Sequence, residues 1–544
     1  MKQKIKYFLQ KYIPDFLDYL LVFKRFTDKF FQNINYLFTS WKNINTLKKT
    51  KFFDSTNLTY DQIISITFQE CYSILKSSNL IFLGEIKTNS YRFLILEETI
   101  TSNIYNELIE LINTGYLLEI QRRGQKTEII NQNISIEKLK IKIRNFDLLR
   151  IYKVYKNKFG IIEFASKTAF EIERWYKVNG IYTTNVKNKI QNKLTFDDIQ
   201  RTVEVTIFQH KVPQLYEMNK YFTYIQNNSV NEVDIVYTWV NGNDAKWLTK
   251  KSKYHNDVTV KNIHASATSE NRYISRDELK YSLRSIEKYF SGYRKIFIVT
   301  DDQKPEWLIE SEKISIIDHK ELFPDQTVLP VFNSHAIEAC LHHIEGLSEH
   351  YIYLNDDIIF GRAVHPSLFF PKKGKLSIFP SNQTFIPFGN ASKDILPVDS
   401  AAINTRTLLE KEQIGYAIRK FKHTPLPQIK SILFELENKF SDELSQTRKS
   451  RFRQPTDISL TSSLLFNYAY FKNLAEIKPI RYTYINLASE DCLFQLKKST
   501  TSIEAKRPDV FCINDGEGDL SDEVEKEFIE IMNNFLPEKS KFEK

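Results

Sequence analysis

Short apolar runs and amphipathic stretches alternate between residues 231 and 360 of the chain. The apolar runs are rich in β-branched and aromatic residues and predict buried strands; they are "DIVYTWV" (234–240), "KIFIVT" (295–300), "KISIID" (313–318) and "YIYLNDD" (351–357). Amphipathic stretches at 275–290 and 332–344 predict helices, the first with Ser275 and Glu278 spaced as a capping box. Strands that alternate with helices form a mostly parallel sheet covered by helices. The fold predicted for 231–544 is therefore α/β, with a Rossmann-like sheet.

The remaining parts of the chain show different patterns. Residues 55–230 mix amphipathic helices such as "YDQIISITFQECYSIL" with alternating strands such as "NSYRFLILEE". They contain no motif with assignable chemistry, so we interpret them as an accessory α+β region. Beyond residue 400, apolar residues at helical spacing predict C-terminal helices at 427–440, 457–471 and 519–535.

The first 54 residues are rich in Lys and poor in acidic residues, with Phe and Leu at near-helical spacing. This pattern predicts a basic amphipathic helical segment (1–54), which suits either an anionic membrane surface or packing on the rest of the chain. The first residues do not show the pattern of a secretory signal, and no run of about 18 apolar residues is seen, so we expect the protein neither to be secreted nor to span a membrane. We expect a cytoplasmic protein, at most peripheral at the inner face of the cytoplasmic membrane.

Charge and cysteine content narrow the possible partners. The net charge of +9 over 544 residues is modest, and no basic motif interleaved with aromatic residues is present, so we expect no nucleic-acid partner. The four cysteines are far apart and form neither a zinc-binding pair nor a disulfide framework. A reducing compartment is the expectation.

Carboxylates and amides follow the ends of the predicted strands. Asn241 to Asp244 follow the first strand, and Asp356 and Asp357 follow the fourth. Ligands bind beyond the carboxyl ends of parallel strands, and paired carboxylates suit Mg²⁺ or Mn²⁺ ions that bridge phosphates. The same residue types also favour turns. Taken alone, this pattern leaves a metal site and a capped turn both open.

Other side chains offer acid–base and phosphate-binding chemistry. Glu338, one helix upstream of the paired carboxylates, suits a general base, or else a solvated helix surface. His423 lies among cations, and Arg453 offers forked donors matched to phosphate oxygens, although both suit a solvated loop as well. Four further histidines lack zinc-binding spacing, and we interpret them as packing and hydrogen-bonding groups; they are His335, His342, His343 and His350.

Together these motifs resemble the successive conserved regions of the Stealth phosphotransferases. The resemblance runs in order from Asp234 to the C-terminus and rests on "DIVYTWVNGND", "RDELKYSLRSIEKY…RKIFIVTDDQKPEWL", "LPVFNSHAIEACLHHIEGLSEHYIYLNDDIIFG", "HTPLPQIKSILFELENKF…RFRQPTDIS" and "CINDG". The family includes bacterial capsular polysaccharide hexose-1-phosphate polymerases and the precursor of the lysosomal-enzyme GlcNAc-1-phosphotransferase. The compact layout is more similar to the bacterial members.

The resemblance implies transfer of a sugar 1-phosphate from a UDP-hexose or UDP-N-acetylhexosamine to a hydroxyl of an acceptor glycan. UMP would be released, and phosphodiester-linked capsular polysaccharide would form. The implied partners are the UDP-sugar donor, an oligosaccharide or capsule acceptor, and the inner membrane or capsule export machinery as a peripheral contact. A metal-dependent glycosyltransferase that releases UDP and a non-catalytic glycan-binding subunit are the alternatives that stay open.

Matched residue by residue, the resemblance implies three sets of site residues. The catalytic set is Glu338, Asp357, His423 and Arg453. The donor-binding set is Trp239, Asn241, Gly242, Asp244, Arg276 and Asn355. The metal-binding set is Asp356, Asp357, Asn514 and Asp515, which would hold Mg²⁺ or Mn²⁺. The chain departs from the family pattern at Asp302, where Gly is common.

Overall fold

The computed structural model describes residues 50–85, 91–131, 134–186, 193–220, 223, 229–230, 232–255, 263–268, 273, 275–514 and 520–544. The predicted basic helical segment (1–54) lies outside the described residues except for its last few positions. Asp515 of the predicted metal-binding set also lies outside them.

The accessory region is an α+β unit built on one large sheet. Its strands are β1 (Phe52–Asp54), β2 (Ile81–Glu85), β3 (Tyr91–Leu96), β4 (Leu117–Gln121), β5 (Glu128–Ile130), β6 (Leu148–Tyr152), β7 (Val154–Lys156), β8 (Ile162–Phe164), β9 (Phe170–Val178), β10 (Ile181–Thr183), β11 (Lys193–Leu194), β12 (Thr202–Ile207) and β13 (His210–Leu215). Its helices are α1 (Tyr60–Leu75), α2 (Ser102–Asn113), α3 (Ile136–Ile143) and α4 (Phe196–Gln200). The main sheet has the order β12-β13-β2-β3-β9-β6-β4-β5, and β1, β7 and β8 form a separate sheet. Helices α1, α2 and α3 bury their apolar faces against the main sheet.

The C-terminal region centres on a five-stranded sheet. Its strands are β14 (Val233–Thr238), β15 (Tyr293–Thr300), β16 (Ile314–Asp318), β17 (His350–Asn355) and β22 (Leu426–Ile429), in the order β16-β15-β14-β17-β22. Only β22 runs antiparallel. The strands are continuous apolar runs because helices cover both faces of the sheet. The mostly parallel α/β fold predicted from the alternation is confirmed.

A smaller sheet continues directly from the large one. Strand β18 (Ile358–Phe360) follows β17 after a two-residue turn and pairs antiparallel with β25 (Val510–Asn514), which in turn pairs parallel with β24 (Tyr482–Asn486). Two further pairs are β19 (Leu376–Ile378) with β23 (Ala475–Ile477), and β20 (Pro380–Phe385) with β21 (Arg419–Phe421). The turn at Asp356 and Asp357 therefore joins the two sheets.

Ten α-helices surround these sheets among the described residues. They are α5 (Ala245–His255), α6 (Glu278–Tyr289), α7 (His319–Leu322), α8 (Ser334–Glu338), α9 (Pro397–Lys411), α10 (Lys430–Lys439), α11 (Ser441–Lys449), α12 (Leu465–Phe471), α13 (Cys492–Thr501) and α14 (Asp522–Phe535). A π-helical turn, Leu460–Leu464, precedes α12. No helix among the described residues is long and apolar enough to cross a membrane.

Three predicted helices are wrong in their bounds. Helix α6 begins at Glu278 without the predicted capping box, because Asp277 before it takes a left-handed φ of 64°. The stretch 332–344 forms only the short α8 and a 3₁₀ turn, since nearly all of its residues are buried, and a surface helix would expose one face. The start of 427–440 is the edge strand β22, a position that tolerates Pro427.

The accessory and C-terminal regions share one core. Tyr60 and Ile63 of α1 and Phe164 of β8 pack in the same apolar cluster as the central sheet. Across this junction the buried Lys288 Nζ lies 2.6 Å from an oxygen of the fully buried Glu163. Because buried ion pairs hold their partners in one arrangement, this pair fixes α6 against the accessory region.

Candidate active site

The antiparallel edge strand brings His423 to the end of β17. Tyr353 of β17 pairs with Leu426 of β22, so the residues before Leu426 run back past the carboxyl end of β17. His423 Nε2 accordingly lies 3.4 Å from Asn355 Nδ2. The predicted catalytic histidine and the predicted donor-binding Asn355 are therefore neighbours, although they are far apart in sequence.

Asp357 is the centre of a polar cluster at the junction of the two sheets. One carboxylate oxygen, Oδ1, lies 3.3 Å from His423 Nε2. The other, Oδ2, accepts hydrogen bonds from Cys512 Sγ at 3.1 Å and Asn514 Nδ2 at 3.5 Å. The pairing of β18 with β25 creates this geometry, since Ile358 lies opposite Cys512, and residues 512 and 514 of a strand face the same side.

The electrostatics of this cluster favour an ion pair. Burial raises the pKa of Asp357. The charge of His423 and the hydrogen bonds from His423, Cys512 and Asn514 lower it by more, and the pKa of Asp357 therefore lies below its ordinary value. Burial lowers the pKa of His423. The negative charges of Asp357 and, to a smaller extent, Glu338 raise it by more, and the pKa of His423 therefore lies above its ordinary value. The arrangement therefore favours an aspartate facing an imidazolium, whose ring is partly exposed.

Glu338 is buried at the C-terminal end of α8, not solvated on a helix surface. Thr461 Oγ1 donates a hydrogen bond to Glu338 Oε2 at 2.8 Å, and the Tyr353 hydroxyl donates to Oε1 at 3.3 Å. Thr238 at the end of β14 lies 3.0 Å from the same tyrosine hydroxyl. The carboxylate is thus held in one orientation beside the ends of β14 and β17.

Arg453 lies beside the first turn of α8, within electrostatic range of Glu338. Its Nη2 donates a hydrogen bond to Ser334 Oγ at 2.6 Å, while its buried Nε has no hydrogen-bond partner among the described residues. Burial lowers the pKa of Arg453, and Glu338 opposes that shift. An unpaired buried guanidinium N–H is unfavourable unless a ligand accepts it, so Arg453 fits a phosphate oxygen.

A buried aspartate ties the Arg453 segment to α8. Asp457 Oδ2 accepts hydrogen bonds from Asn333 Nδ2 at 2.8 Å and from the backbone N–H of Gln454 at 2.9 Å. Asn333 also caps α8 by accepting from the backbone N–H of His335 at 3.1 Å. These contacts couple the position of Glu338 to that of Arg453.

The turn after β14 is built by internal hydrogen bonds. Gln303 accepts from the backbone N–H of Asn241 at 3.0 Å and donates to Asp244 Oδ2 at 3.2 Å. Asp244 Oδ1 also accepts from backbone N–H groups at the start of α5. A Cβ on Gly242 would lie 2.2 Å from the Tyr273 carbonyl oxygen. These roles shape the turn, and donor binding by its residues stays a prediction.

Of the other predicted donor contacts, Trp239 adjoins this turn, whereas Arg276 forms ion pairs with Glu278 and Glu525. Trp239 donates its backbone N–H to the Val299 carbonyl at 3.0 Å and is partly buried on the core. The guanidinium of Arg276 lies 4.0 Å from Glu278 and 3.7 Å from Glu525. The departure at Asp302 has a conformational explanation, because its φ of 55° is one that Gly adopts easily and Asp tolerates.

Asp356 differs from Asp357 in its surroundings. Burial, then the carboxylates of Glu278 and Asp357, raise the pKa of Asp356 well above its ordinary value. Its predicted role as a metal ligand stays a prediction. The structure places it beside Glu278, whereas His423, Cys512 and Asn514 surround Asp357.

The residues at Asp357 fit a hard divalent cation in part. Mg²⁺ takes oxygen ligands, often only one or two from protein, with phosphates and waters supplying the rest. Asp357 offers carboxylate oxygens and Asn514 an amide oxygen. His423 Nε2 and Cys512 Sγ lie within 4.8 Å of the Asp357 carboxylate and of each other. The oxygen donors fit Mg²⁺ or Mn²⁺, whereas the sulfur suits softer metals.

The four other histidines are not gathered into a metal site with the paired carboxylates. His342 Nε2 and His343 Nε2 lie 2.6 and 2.8 Å from the same oxygen of Glu437, whose second oxygen lies 2.6 Å from Arg448 Nη1. His335 Nδ1 lies 3.6 Å from Asp457. Ligand atoms of His342, His343 and Glu437 also lie within 4.8 Å of one another, a spacing that could hold a metal ion. The interpretation of the four histidines as packing and hydrogen-bonding groups therefore stays a prediction.

Comparison with known sequences finds three regions of one family in the chain. Stealth protein conserved region 1 matches residues 231–259, conserved region 2 matches 272–378, and conserved region 3 matches 422–470. Glu338 and Asp357 fall within region 2, and His423 and Arg453 within region 3. The order of the regions is the order of the elements that build the candidate site.

Several curated bacterial proteins are similar over the same part of the chain. An exopolysaccharide phosphotransferase of Streptomyces coelicolor is 40% identical over 317 residues, covering 57% of this chain and 52% of that protein. One of Nocardia farcinica is 35% identical over 381 residues, covering 69% and 72%. The exopolysaccharide phosphotransferase CpsY of Mycobacterium tuberculosis is 33% identical over 371 residues, covering 68% of each chain. The chain spans only about half the length of the Streptomyces relative.

Solved structures give weaker matches. The galactosyltransferase LgtC, in complex with donor and acceptor sugar analogues, aligns with a TM-score of 0.29 and 12% identity, covering 56% of this chain and 96% of that one. The glycosyltransferase GlyE of Streptococcus pneumoniae aligns with a TM-score of 0.27 and 11% identity, covering 57% and 63%. At these scores the likeness carries no inference about the site. The three ordered regions and the Nocardia farcinica relative confirm the resemblance seen in the sequence: this chain belongs to the Stealth family.

Proposed function

We propose that the chain transfers a sugar 1-phosphate from a UDP-sugar to a hydroxyl of an exopolysaccharide acceptor and releases UMP. The observation that carries the proposal is the convergence of Glu338, Asp357, His423 and Arg453 at the ends of β14 and β17. The family membership and the names of the relatives support the same reaction class.

Each of the four side chains has a separate role in the proposed phosphoryl transfer. The acceptor oxygen attacks the sugar-linked β-phosphorus, and the bond from that phosphorus to the oxygen bridging to the α-phosphate breaks, so UMP leaves. Glu338 takes the proton of the attacking hydroxyl. Arg453 and the imidazolium of His423 neutralise charge on the phosphoryl oxygens. Asp357 keeps the imidazole charged and oriented.

A divalent cation is part of the proposal. Asp357 and Asn514 would hold Mg²⁺ or Mn²⁺, with Asp356 and Asp515 as further candidate ligands. When bound, the ion would neutralise the diphosphate of the donor. His423 and Arg453 carry positive charge to the same phosphate from the protein itself.

The identity of the released nucleotide tests this proposal. The full chain is incubated with Mg²⁺, a panel of UDP-hexoses and UDP-N-acetylhexosamines, and a short capsule-type oligosaccharide. We expect UMP together with a longer phosphodiester-linked product. UDP would instead identify a glycosyltransferase, and donor binding without any nucleotide release would favour a glycan-binding subunit.

We also propose that residues 1–54 attach the chain peripherally to an anionic membrane or to capsule export machinery. The support is the excess of Lys over acidic residues and the near-helical spacing of Phe and Leu. Deletion of residues 1–52 should reduce co-sedimentation with anionic liposomes while UMP release is largely kept. Unchanged sedimentation would contradict membrane attachment by this segment.

A further inference from the structure

Four large apolar side chains are exposed on two paired segments, one of which leads to His423 of the candidate site. They lie at the end of β20, in the loop after it, and just before β21, and we call them the aromatic platform: Phe385, Phe388, Tyr416 and Ile418. The Phe388 side chain is 87% exposed. Single exposed apolar residues are ordinary, whereas a group of them marks an interaction surface.

The backbone pairs the two segments that carry these side chains. The backbone N–H of Ile386 donates to the Ile418 carbonyl at 2.9 Å, and Phe385 lies opposite Arg419 in the strand pair. The exposed Arg419 guanidinium lies 5.4 Å from the centre of the Phe385 ring. The platform therefore combines apolar surface with a cation.

A buried arginine holds two of the rings in place. Arg406 donates from Nη2 to the Pro387 carbonyl at 2.7 Å and from Nη1 to the Ile386 carbonyl at 3.3 Å. Its guanidinium carbon lies 6.0 Å from the centre of the Phe388 ring and 5.5 Å from that of Tyr416. Rings ordered before binding lose less entropy when a ligand arrives. Such order is useful for a shaped ligand and unnecessary for a fluid lipid surface.

The platform is connected directly to the catalytic histidine. Strand β21 ends at Phe421, two residues before His423, so an extended chain from Ile418 to His423 spans about 16 Å. The connecting residues "IRKFKH" include three cations and no acid. The platform lies between the stretches that match Stealth conserved regions 2 and 3. The regions that carry the four proposed catalytic residues therefore do not include it.

We propose that the aromatic platform binds the acceptor polysaccharide several sugars away from its reacting end, and this inference rests on the proposed function. A polymer joined by phosphodiesters presents apolar C–H faces of its sugar rings and one negative charge per repeat. The faces pack on Phe388 and Tyr416, and the phosphodiesters pair with Arg419 and Lys422. The platform thus makes the enzyme favour long acceptors over short ones.

The test compares acceptor lengths in the full chain with and without the exposed ring. The probes are labelled phosphodiester-linked oligomers of two and ten repeats, made from the hexose that the nucleotide assay selects. We expect Phe388→Ala to raise KM for the ten-repeat oligomer about tenfold. Its kcat, its KM for the donor and its KM for the two-repeat oligomer should not change.

Matched variants separate the possible causes of a raised KM for the ten-repeat oligomer. Phe159→Ala removes an exposed phenylalanine that lies beside Lys158 in the accessory region, and it should change none of these constants. Phe388→Trp should keep the preference for long acceptors, and Phe388→Leu should lose it, because the contact is with a ring face. Equal thermal midpoints would show that all variants are folded.

The outcomes are distinguishable from failure of the proposed function. If no UDP-sugar gives UMP, the proposed function fails and this inference with it. If UMP forms but Phe388→Ala keeps the wild-type KM for the ten-repeat oligomer, only the inference is overturned. Loss of co-sedimentation with anionic vesicles in Phe388→Ala, with that KM unchanged, would instead identify the surface as a membrane contact.

Discussion

Glu338 receives hydrogen bonds from two hydroxyl groups and lies in the field of two cations. Thr461 and Tyr353 hold its carboxylate, and its charge acts on His423 and Arg453. A base that must take a proton from a weakly acidic sugar hydroxyl works best when its orientation is fixed before the substrate arrives. Substitution of Glu338 is therefore the most direct test of the proposed proton transfer.

Glu338→Gln keeps the shape of the side chain and removes its ability to take a proton. We expect UMP release to fall by roughly 10²- to 10⁴-fold, with donor binding unchanged in a calorimetric titration. Thr461→Val should cause a smaller loss, and Thr461→Ser should restore activity, because it keeps the hydroxyl. Near-normal turnover of Glu338→Gln would remove Glu338 from the role of base.

The ion pair of His423 and Asp357 predicts a direction of pH dependence. Because Asp357 raises the pKa of His423, the imidazolium persists to higher pH than an isolated histidine would, and activity should fall as pH rises through that raised pKa. Asp357→Asn should move the titration of His423 to lower pH. NMR of isotopically labelled histidine measures this titration independently of turnover. An unchanged titration of His423 in Asp357→Asn would contradict the pairing of the two side chains.

At the scale of elements, the sequence predicted the parallel sheet and the elements that carry the site, because apolar runs and helical spacing are local signals. It did not predict that β22 runs antiparallel, and this pairing is what carries His423 back to Asn355. Thr461 and Cys512 were missed for the same reason, since their partners come from distant strands and turns. One feature of the sequence could have indicated Cys512: it lies two residues before Asn514 in a strand, so the two side chains face the same side.

The turn after β14 offers a test of element geometry. A Cβ on Gly242 would lie 2.2 Å from the Tyr273 carbonyl oxygen, so Gly242→Ala must displace the backbone and should destabilise the protein by about 1–3 kcal/mol. Its KM for the UDP-sugar should also rise if the turn receives the donor.

Gly346→Ala is the control for this change. Its Cβ would meet nothing within 4 Å, although its φ of 73° is unfavourable for Ala. It should destabilise the protein by about 1 kcal/mol and leave the KM for the donor unchanged. A normal KM in Gly242→Ala, despite lower stability, would assign that turn a purely structural role.

At the scale of the whole molecule, the accessory region is joined to the five-stranded sheet by a common core and a buried ion pair. Lys288→Met would leave Glu163 buried without its charge partner and should destabilise the chain by about 3–5 kcal/mol. Thermal unfolding and limited proteolysis of the accessory region measure this. The double variant Lys288→Met and Glu163→Gln should recover part of the loss, because Glu538, whose carboxylate lies 3.0 Å from Lys288 Nζ, still lacks its partner. An unaffected single variant would show that the junction does not need the pair.

Cys512 gives this molecule an internal reporter of how often the two sheets part. Burial, and then the neighbouring Asp357 carboxylate, raise the pKa of its thiol well above the ordinary value. An alkylating reagent needs a thiolate that it can reach, so the reaction proceeds only when β25 separates from the turn between β17 and β18. When reclosing is faster than alkylation, the rate of labelling at this sulfur measures the fraction of time that the junction is open, and a bound nucleotide sugar that bridges the junction should lower it.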